Sequence, residues 1–344
     1  MGGEGVGPEL VAHGMRVLER AADLFEFDYE VVDYPHRSSH YEATGELLTP
    51  ESIEAFRQLD AVFYGAHGDP LPPGRGTSLI VRLGQALDLG VGVRPATLYS
   101  GHLSPLKGRA DGDIDMVIVR DTTEDCFAIP GGLMSADTPH EVAVGLLMYT
   151  RRSVERVVRY AFELSQTRGK RLTVVSQANS LLSHTIWPRV VHELSVEYPD
   201  VAVDEMYPDN AAGTLVLRPE HFDVIVTTFW LGGILTNAMA AVVGGIGVCA
   251  DVRISPDARV GIFQSAHGAA QKYEGLDRVS PMATLRALAL MLTHIGQPEA
   301  GHQLEQAIHT AISSGRVPDV STRSPVGTKE ATDIVIDELQ RGKV

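Results

Sequence analysis

The chain has 344 residues, 44% of them hydrophobic, so it can bury a large core in one large domain or two moderate ones. Its 44 acidic and 29 basic residues give a net charge of -15, which repels phosphate backbones and anionic lipid and argues against nucleic-acid or membrane partners. Two cysteines without metal-ligand spacing, Cys126 and Cys249, and the lack of an export signal or a long apolar run favour a cytoplasmic protein.

Short apolar runs alternate with amphipathic helical patterns along most of the chain. This alternation predicts an α/β protein with a mainly parallel sheet and helices on both faces. One helix is predicted from Pro8 to Phe25, and another from Ser153, as N-cap, to Gly169, as the residue after the C-terminus. The predicted strands include residues 60–65, 114–120, 172–175, 222–227 and 260–264.

Two glycine-rich segments stand out near the start. A glycine turn at residues 2–7 normally follows a strand, yet only Met1 precedes it here. Either the chain starts late or the fold has lost an edge or inner strand at this point. Residues 67–76 are rich in glycine and proline, which predicts a surface loop of the kind that often borders a site.

A collinear set of motifs spans nearly the whole chain and resembles one family. The motifs are GEGVGPE at 3–9, DLGVGVRP at 88–95, VIVRD at 117–121, AN at 178–179, DNA at 209–211, FDVIVT at 222–227 and HGAA at 267–270, with Gly275 and Pro281 after them. Their order and spacing resemble the isocitrate, isopropylmalate and tartrate dehydrogenases. The resemblance identifies the chain as a divergent member of the isocitrate/isopropylmalate dehydrogenase family.

The resemblance implies a two-domain fold and a reaction class. A large discontinuous cofactor-binding domain is expected at residues 1–91 and 245–344, with a smaller substrate and dimerisation domain at 92–244. The implied assembly is a homodimer with the substrate in the cleft between the domains. Family members oxidise a 2-hydroxy acid by hydride transfer to a nicotinamide and then decarboxylate the product, using a divalent metal, arginines, a tyrosine and a lysine.

The metal-binding positions implied by the resemblance are altered. Asp209 keeps one of three carboxylates, whereas the other two positions hold Gly233 and Asn237. One carboxylate and one amide are a poor ligand set for Mg²⁺ or Mn²⁺, so a divalent metal is doubtful. With the ligand set broken, the favoured interpretation of Asp209 is a helix N-terminal residue that faces the helix dipole.

The proton-transfer positions implied by the resemblance are also substituted. Gln177 stands where the family has its lysine, and Phe127 stands where it has its tyrosine. Neither an amide nor a phenyl ring can accept or donate the required proton. The familiar mechanism is therefore not expected to run with these residues.

Substrate binding is predicted to be partly retained. Arg94 and Arg120 match two of the family's three substrate arginines, and guanidinium forks suit carboxylates. The third position holds Gly84, and nearby Arg82 points in another direction on a helix. Ser78 matches a family serine near the substrate. The alternatives are salt bridges at a domain interface for the two arginines and an N-cap for Ser78.

The cofactor segment favours NADP over NAD. NAD users in the family carry an aspartate after HGSAP, whereas NADP users read APKY. Here the segment reads Ala270-Gln271-Lys272-Tyr273, and a lysine with a tyrosine can bind a 2′-phosphate that an aspartate would repel.

Three further positions belong to this implied cofactor site. His267 resembles the histidine that packs near the adenine, although a lone histidine is more often structural, and Gly268 follows it. Ser280 replaces the family's asparagine before Pro281.

Three functions remain in competition at this point. The first is an NADP-linked oxidoreductase with altered, metal-independent chemistry on a small carboxylate. The second is a catalytically inactive regulatory subunit or ligand sensor. The third is a repurposed, non-redox biosynthetic enzyme that uses the nucleotide pocket for a phosphorylated ligand.

Overall fold

The computed structural model describes residues 1–34, 38–66, 68, 79–127 and 131–343. The helices are α1 (Gly7–Phe25), α2 (Ser38–Thr44), α3 (Pro50–Arg57), α4 (Leu79–Ala86), α5 (Arg151–Gln166), α6 (Ile186–Ser195), α7 (Pro208–Leu217), α8 (Phe229–Val242), α9 (Met282–His294), α10 (Pro298–Ser313) and α11 (Thr328–Gly342). The strands are β1 (Ala61–Tyr64), β2 (Val91–Thr97), β3 (Asp115–Asp121), β4 (Gly132–Met134), β5 (Val142–Val144), β6 (Arg171–Val175), β7 (Ala202–Met206), β8 (Val224–Thr227), β9 (Ala250–Ile254) and β10 (Gly261–Ser265).

One mixed sheet organises the described part of the chain. Its eight described strands have the order β1-β10-β9-β2-β3-β8-β6-β7, and β4 pairs separately with β5. The pairs β1–β10, β3–β8, β8–β6 and β6–β7 are parallel, whereas β10–β9, β9–β2 and β2–β3 are antiparallel. The predicted α/β class with a mostly parallel sheet is confirmed.

The sheet crosses the boundary between the two predicted domains at the β9–β2 pair. Strands β1, β10 and β9 come from residues 1–91 and 245–344, and most of the remaining sheet comes from 92–244. The division into two domains stays a prediction. No helix of the described residues is long and apolar enough to cross a membrane.

All five predicted strands form within a few residues of their expected ends, but the start of α5 was predicted wrongly. Its N-cap is Thr150, whose hydroxyl accepts a hydrogen bond from the Ser153 amide at 3.2 Å. Ser153 is instead buried and donates to the Asp121 carboxylate. The helix also ends before Gly169, and the left-handed residue is Lys170, at φ 57°. Glycine at position 169 lets the backbone pass close to Asp223, because a Cβ there would lie 2.9 Å from Asp223 Oδ2.

The first residues of the chain run alongside the edge strand β1. The Met1 amine donates to the Phe63 carbonyl at 3.1 Å, and the Gly65 amide donates to the Met1 carbonyl at 3.1 Å. Gly3 then forms a parallel bridge with Ala66. A groove of about 640 Å³ lies beside β1 and is lined on its other side by residues 27–34. The glycine turn thus begins where a strand next to β1 would end.

Candidate functional site

A group of charged residues lies on one face of four adjacent strands. Gly92 on β2 is paired with Arg120 on β3 and with Arg253 on β9. Because side chains alternate between faces along a strand, residues two positions away share the same face. Arg94 and Asp251 are therefore on this face, and Gln264 on β10 is paired with Asp251. The sheet register brings together residues that are far apart in sequence.

Asp251 is bound by the arginine that was predicted to hold substrate. Arg94 Nε and Nη2 donate to Asp251 Oδ1 and Oδ2 at 2.8 and 2.9 Å. Gln264 Nε2 donates to Oδ2 at 3.0 Å, and Arg120 Nη2 lies 3.6 Å from Oδ1. The Asp251 side chain is fully buried. This is the kind of salt bridge that the alternative interpretation of Arg94 expected, and a substrate role for Arg94 stays a prediction.

The charges in this group are strongly coupled. Burial alone would raise the pKa of Asp251, but the neighbouring arginines, Arg94 and Arg120 foremost, outweigh it and hold the pKa well below its usual range. Burial lowers the pKa of Arg120, and Arg94 lowers it further. Burial likewise lowers the pKa of Arg253. Three guanidinium groups thus surround a single buried carboxylate.

Arg253 reaches into the space in front of Gly84, where the resemblance expects the third substrate arginine. A Cβ on Gly84 would lie 3.5 Å from Arg253 Nη1. The same nitrogen donates to the Ile80 carbonyl on α4 at 3.3 Å. Neither Arg253 nor Asp251 was among the site residues predicted from the sequence. The available signal was a pair of charged residues two positions apart in an otherwise apolar run, which places both on one face of a buried strand.

Phe229 lies between Phe127 and the arginine group, which consists of Arg94, Arg120 and Arg253. The guanidinium carbons of Arg120 and Arg253 lie 4.7 and 5.6 Å from the centre of the Phe229 ring. The rings of Phe127 and Phe229 are 4.9 Å apart, and Phe127 is 44% exposed. Phe127 therefore packs against Phe229, whose ring contacts Arg120 and Arg253, and a catalytic-site position for Phe127 stays a prediction.

Gln177 lies in a different environment. Its side-chain amide donates to Asn179 Oδ1 at 2.8 Å and to Ser180 Oγ at 3.1 Å. Its backbone amide donates to His184 Nδ1 at 3.1 Å, and the other ring nitrogen of His184 lies 3.2 Å from the Tyr149 hydroxyl. Among the described residues, these hydrogen bonds tie Gln177 to its own loop and to His184.

The positions expected to bind a metal do not fit a divalent cation within one chain. Asp209 is exposed in the first turn of α7, and its Oδ1 accepts from the Asn210 amide at 2.9 Å. Asn237 Nδ2 donates to the Gly233 carbonyl at 2.9 Å within α8. The described residues contain no group of three or more His, Cys, Asp or Glu side chains able to hold a metal ion.

The predicted cofactor loop packs against the N-terminal glycine turn. The Val6 amide donates to the Ala269 carbonyl at 2.9 Å, and a Cβ on Gly5 would lie 2.1 Å from that oxygen, so only glycine fits. Ala270 has a left-handed backbone, with φ 43°, and starts the short 3₁₀ turn Gln271–Tyr273. The turn and the loop form one continuous backbone surface.

Lys272 and Tyr273 form a pair on this surface. The Lys272 ammonium lies 4.8 Å from the centre of the Tyr273 ring. Thr322 Oγ1 donates to the Tyr273 hydroxyl at 3.3 Å, and this bond, followed by Lys272, lowers the pKa of Tyr273. Lys272 itself is exposed. An exposed ammonium beside a phenol is a suitable set of donors for a phosphate group.

His267 lies at the base of the same loop and is buried. Its Nδ1 is 3.0 Å from the Gly268 carbonyl, and its Nε2 has no hydrogen-bond partner among the described residues. Burial lowers its pKa. Ser280 is buried, and its hydroxyl accepts from the Met282 amide at 3.4 Å, near the start of α9. A nucleotide-binding role for His267, Gly268 and Ser280 stays a prediction. Ser78, like most of residues 67–76, lies outside the described residues.

The fold and these motifs define a member of the isocitrate/isopropylmalate dehydrogenase family. The sequence profile of that family matches residues 1–335, and the chain belongs to it. The protein is therefore an isocitrate/isopropylmalate dehydrogenase-like protein from a family of oxidoreductases.

Individual relatives agree with this assignment. The chain is 40% identical to a 3-isopropylmalate dehydrogenase of Corynebacterium glutamicum over 347 residues, covering 99% of this chain and 98% of that protein. It is 38% identical to one of Thermobifida fusca, covering 98% and 94% of the two chains. Among solved structures, it is similar to an isocitrate dehydrogenase from Methylococcus capsulatus, with a TM-score of 0.87, 29% identity and 98% coverage of each chain. The TT0538 protein of Thermus thermophilus gives a TM-score of 0.86 at 31% identity, covering 98% of this chain and 67% of that one.

Proposed function

We propose that the protein is an NADP-linked oxidoreductase that acts on a small carboxylate by metal-independent chemistry, without the oxidative decarboxylation typical of its family. The observation that carries this proposal is the buried group of arginines beside Phe127, because buried guanidiniums with unpaired donors suit a carboxylate ligand. The names of the relatives, 3-isopropylmalate dehydrogenases, support a small hydroxy acid as the substrate class.

The substituted positions limit what this chain can catalyse. In the proposed reaction, NADP⁺ held beside Lys272 and Tyr273 would supply the acceptor for a hydride from the carbon that carries the hydroxyl group, and the hydroxyl proton would pass to a solvent water acting as the base. Phe127 and Gln177 cannot be that base. Gly233 and Asn237 provide no carboxylate that would hold a metal able to stabilise an enolate after loss of carbon dioxide. The proposal therefore stops at oxidation of the alcohol.

The preference for NADP rests on the Lys272–Tyr273 pair. The ammonium group and the hydrogen-bonded phenol present positive charge and a donor on an exposed surface. A 2′-phosphate gains from both, whereas NAD has only a ribose hydroxyl there. Arg120 would bind the acid, with Arg94 held beside it by Asp251, and His267, Gly268, Ala270 and Ser280 would line the nucleotide side.

A cytoplasmic homodimer is also proposed. Both strands of the β4–β5 hairpin are exposed although they carry the apolar residues Leu133, Met134, Val142 and Val144. Leu182, near Gln177, and Leu217, at the end of the helix that carries Asp209, are 87% and 76% exposed. Exposed apolar surface of this kind commonly marks a protein interface.

The test is a steady-state assay of the purified protein with NADP⁺ and a panel of 2-hydroxy acids. Reduced nicotinamide is followed by its absorbance, and carbon dioxide release is measured in parallel, with EDTA or with Mg²⁺. The proposal expects an acid that reduces NADP⁺ in EDTA without releasing carbon dioxide. Reduction that requires Mg²⁺ and releases carbon dioxide from 3-isopropylmalate would identify an ordinary member of the family instead.

A second candidate is a catalytically inactive regulatory subunit or ligand sensor. The four substitutions Phe127, Gln177, Gly233 and Asn237 favour it, because none of these side chains can transfer a proton or bind a hard cation strongly. It predicts nucleotide or acid binding without any change in nicotinamide absorbance, and co-purification with an active paralogue. A repurposed non-redox enzyme predicts turnover of a phosphorylated ligand, again without an absorbance change.

A further inference from the structure

The arginine group has one hydrogen-bonding fork already occupied. Arg94 uses Nε and Nη2, the two nitrogens that form a bidentate fork, to bind both oxygens of Asp251. A carboxylate of a ligand that approached this fork would have to displace Asp251 or lie beside its negative charge. Both are costly in a buried site. Arg94 is therefore a poor partner for a second carboxylate.

Arg120 and Arg253 have the opposite character. Both side chains are almost completely buried, and the Nε atom of each lacks a hydrogen-bond partner among the described residues. Arg120 Nη2 lies 3.6 Å from Asp251 Oδ1, and both guanidiniums lie over the Phe229 ring. Their hydrogen bonds are long: Arg120 Nη1 donates to the Phe229 carbonyl at 3.3 Å, and Arg253 Nη1 donates to the Ile80 carbonyl at 3.3 Å. Buried charged donors without partners are expensive unless a ligand completes them.

Glycines surround these two guanidiniums. Gly92 separates them on the middle strand of the sheet. A Cβ on Gly84 would lie 3.5 Å from Arg253 Nη1, and a Cβ on Gly233 would lie 3.5 Å from Arg120 Nη1. Helices α4 and α8 thus present bare backbone, without side chains, towards the two charged groups.

Resting on the proposed function, we propose that Arg120 and Arg253 together bind a single anionic group of the substrate, and that Asp251 excludes a second one from Arg94. The substrate class is then a monocarboxylate. Net charge does not decide this, since three arginines and one aspartate would tolerate two negative charges. Hydrogen bonding decides it, because the unpaired donors belong to Arg120 and Arg253 whereas the Arg94 fork is occupied.

Two pairs of acids that differ by one carboxylate test the proposal. Malate is lactate with an added carboxylate, and 3-isopropylmalate is 2-hydroxy-4-methylpentanoate with an added carboxylate. Calorimetric titrations of the full chain, with and without NADP⁺, are expected to show the monocarboxylate of at least one pair binding at least about tenfold tighter than its dicarboxylate.

Single substitutions test which residues cause the preference for a monocarboxylate. Arg253→Met should weaken monocarboxylate binding by at least about tenfold. Arg156→Met is the matched control, since Arg156 is also largely buried with an unpaired Nε but lies outside the group. Asp251→Ser should strengthen dicarboxylate binding where urea unfolding shows that the variant is folded.

Three results would overturn the proposal: a dicarboxylate that binds as tightly as or more tightly than its partner in both pairs, an Arg253→Met variant that binds like the Arg156→Met control, or no binding of any acid. Titration of NADP⁺ alone distinguishes failure of the monocarboxylate proposal from failure of the proposed NADP-linked function. Binding of NADP⁺ together with a preference for the dicarboxylate in both pairs rejects only the monocarboxylate class. Absence of NADP⁺ binding rejects the NADP-linked function, while the acid titrations still test whether Arg120 and Arg253 bind an anionic group.

Discussion

Arg94 and Asp251 are joined inside the sheet by two hydrogen bonds, of 2.8 and 2.9 Å, across the strand pair where the two predicted domains meet. Removing one partner of a buried ion pair leaves the other charge uncompensated. We expect Asp251→Ala to lower the free energy of unfolding by about 3–5 kcal/mol. Urea denaturation measures it. The double variant Asp251→Leu with Arg94→Met should lose less, and a loss below about 1 kcal/mol in Asp251→Ala would contradict the structural role of the pair.

Two adjacent glycines in α8 provide a matched pair of substitutions. A Cβ on Gly232 would lie 2.8 Å from Arg120 Cδ, whereas a Cβ on Gly233 meets only Arg120 Nη1, at 3.5 Å. Gly232→Ala should therefore destabilise by about 1–3 kcal/mol through overpacking. Gly233→Ala should stabilise by about 0.5–1 kcal/mol, because glycine is unfavourable inside a helix. Thermal and urea unfolding compare the two variants, and equal effects would show that α8 lies differently against Arg120.

His184 gives the fold a dependence on pH. Burial lowers its pKa from 6.5, and Asp125 offsets this only in part. The unfolded chain therefore takes up the proton first, so the stability contributed by neutral His184 is complete above about pH 6.5 and is lost as the pH falls through the lower, folded-state pKa. The neutral ring also accepts the hydrogen bond from the Gln177 amide.

The measurement is the free energy of unfolding at about pH 7.5 and about pH 5. His184→Gln should reduce the loss of stability between these two values. His192→Gln, at an exposed position, is the control and should leave this loss of stability unchanged. An unchanged pH dependence in His184→Gln would mean that another group carries it.

The groove beside β1 could hold an additional strand, so we predict the effect of an engineered N-terminal extension. The Met1 amine is largely buried against the Phe63 carbonyl, and burial lowers its pKa. An extension of about five Val- and Ile-rich residues before Met1 would replace the amine with an amide and pair with β1 in the groove of about 640 Å³. We expect the melting temperature to rise by at least about 2–4 °C. An equally long extension with prolines at alternate positions is the control, and an equal gain from it would exclude strand pairing.

The sequence predicted strands well because buried strands are short apolar runs, and β1, β3, β6, β8 and β10 all lie where such runs occur. Helix ends were harder. Thr150 and Ser153 are both good caps, and only the buried contact of Ser153 with Asp121 selects Thr150.

The arginine group could be predicted only in part. The resemblance supplied Arg94 and Arg120, but Arg253 and Asp251 enter the site through the register of β9 against β2, which depends on pairing between distant segments. Their contacts with Gly84 and Arg94 follow from that pairing, which no local pattern encodes.

The most direct test of the central claim is calorimetric titration of NADP⁺ and NAD⁺ into the purified protein, each with and without Mg²⁺. We predict that NADP⁺ binds more tightly than NAD⁺, that Mg²⁺ changes neither affinity, and that Lys272→Ala weakens NADP⁺ binding by about tenfold. Lys329→Ala, which removes an exposed lysine paired with Asp333, should bind as the unmodified protein does. Tighter binding of NAD⁺, binding that depends on Mg²⁺, or no binding of either nucleotide would contradict it.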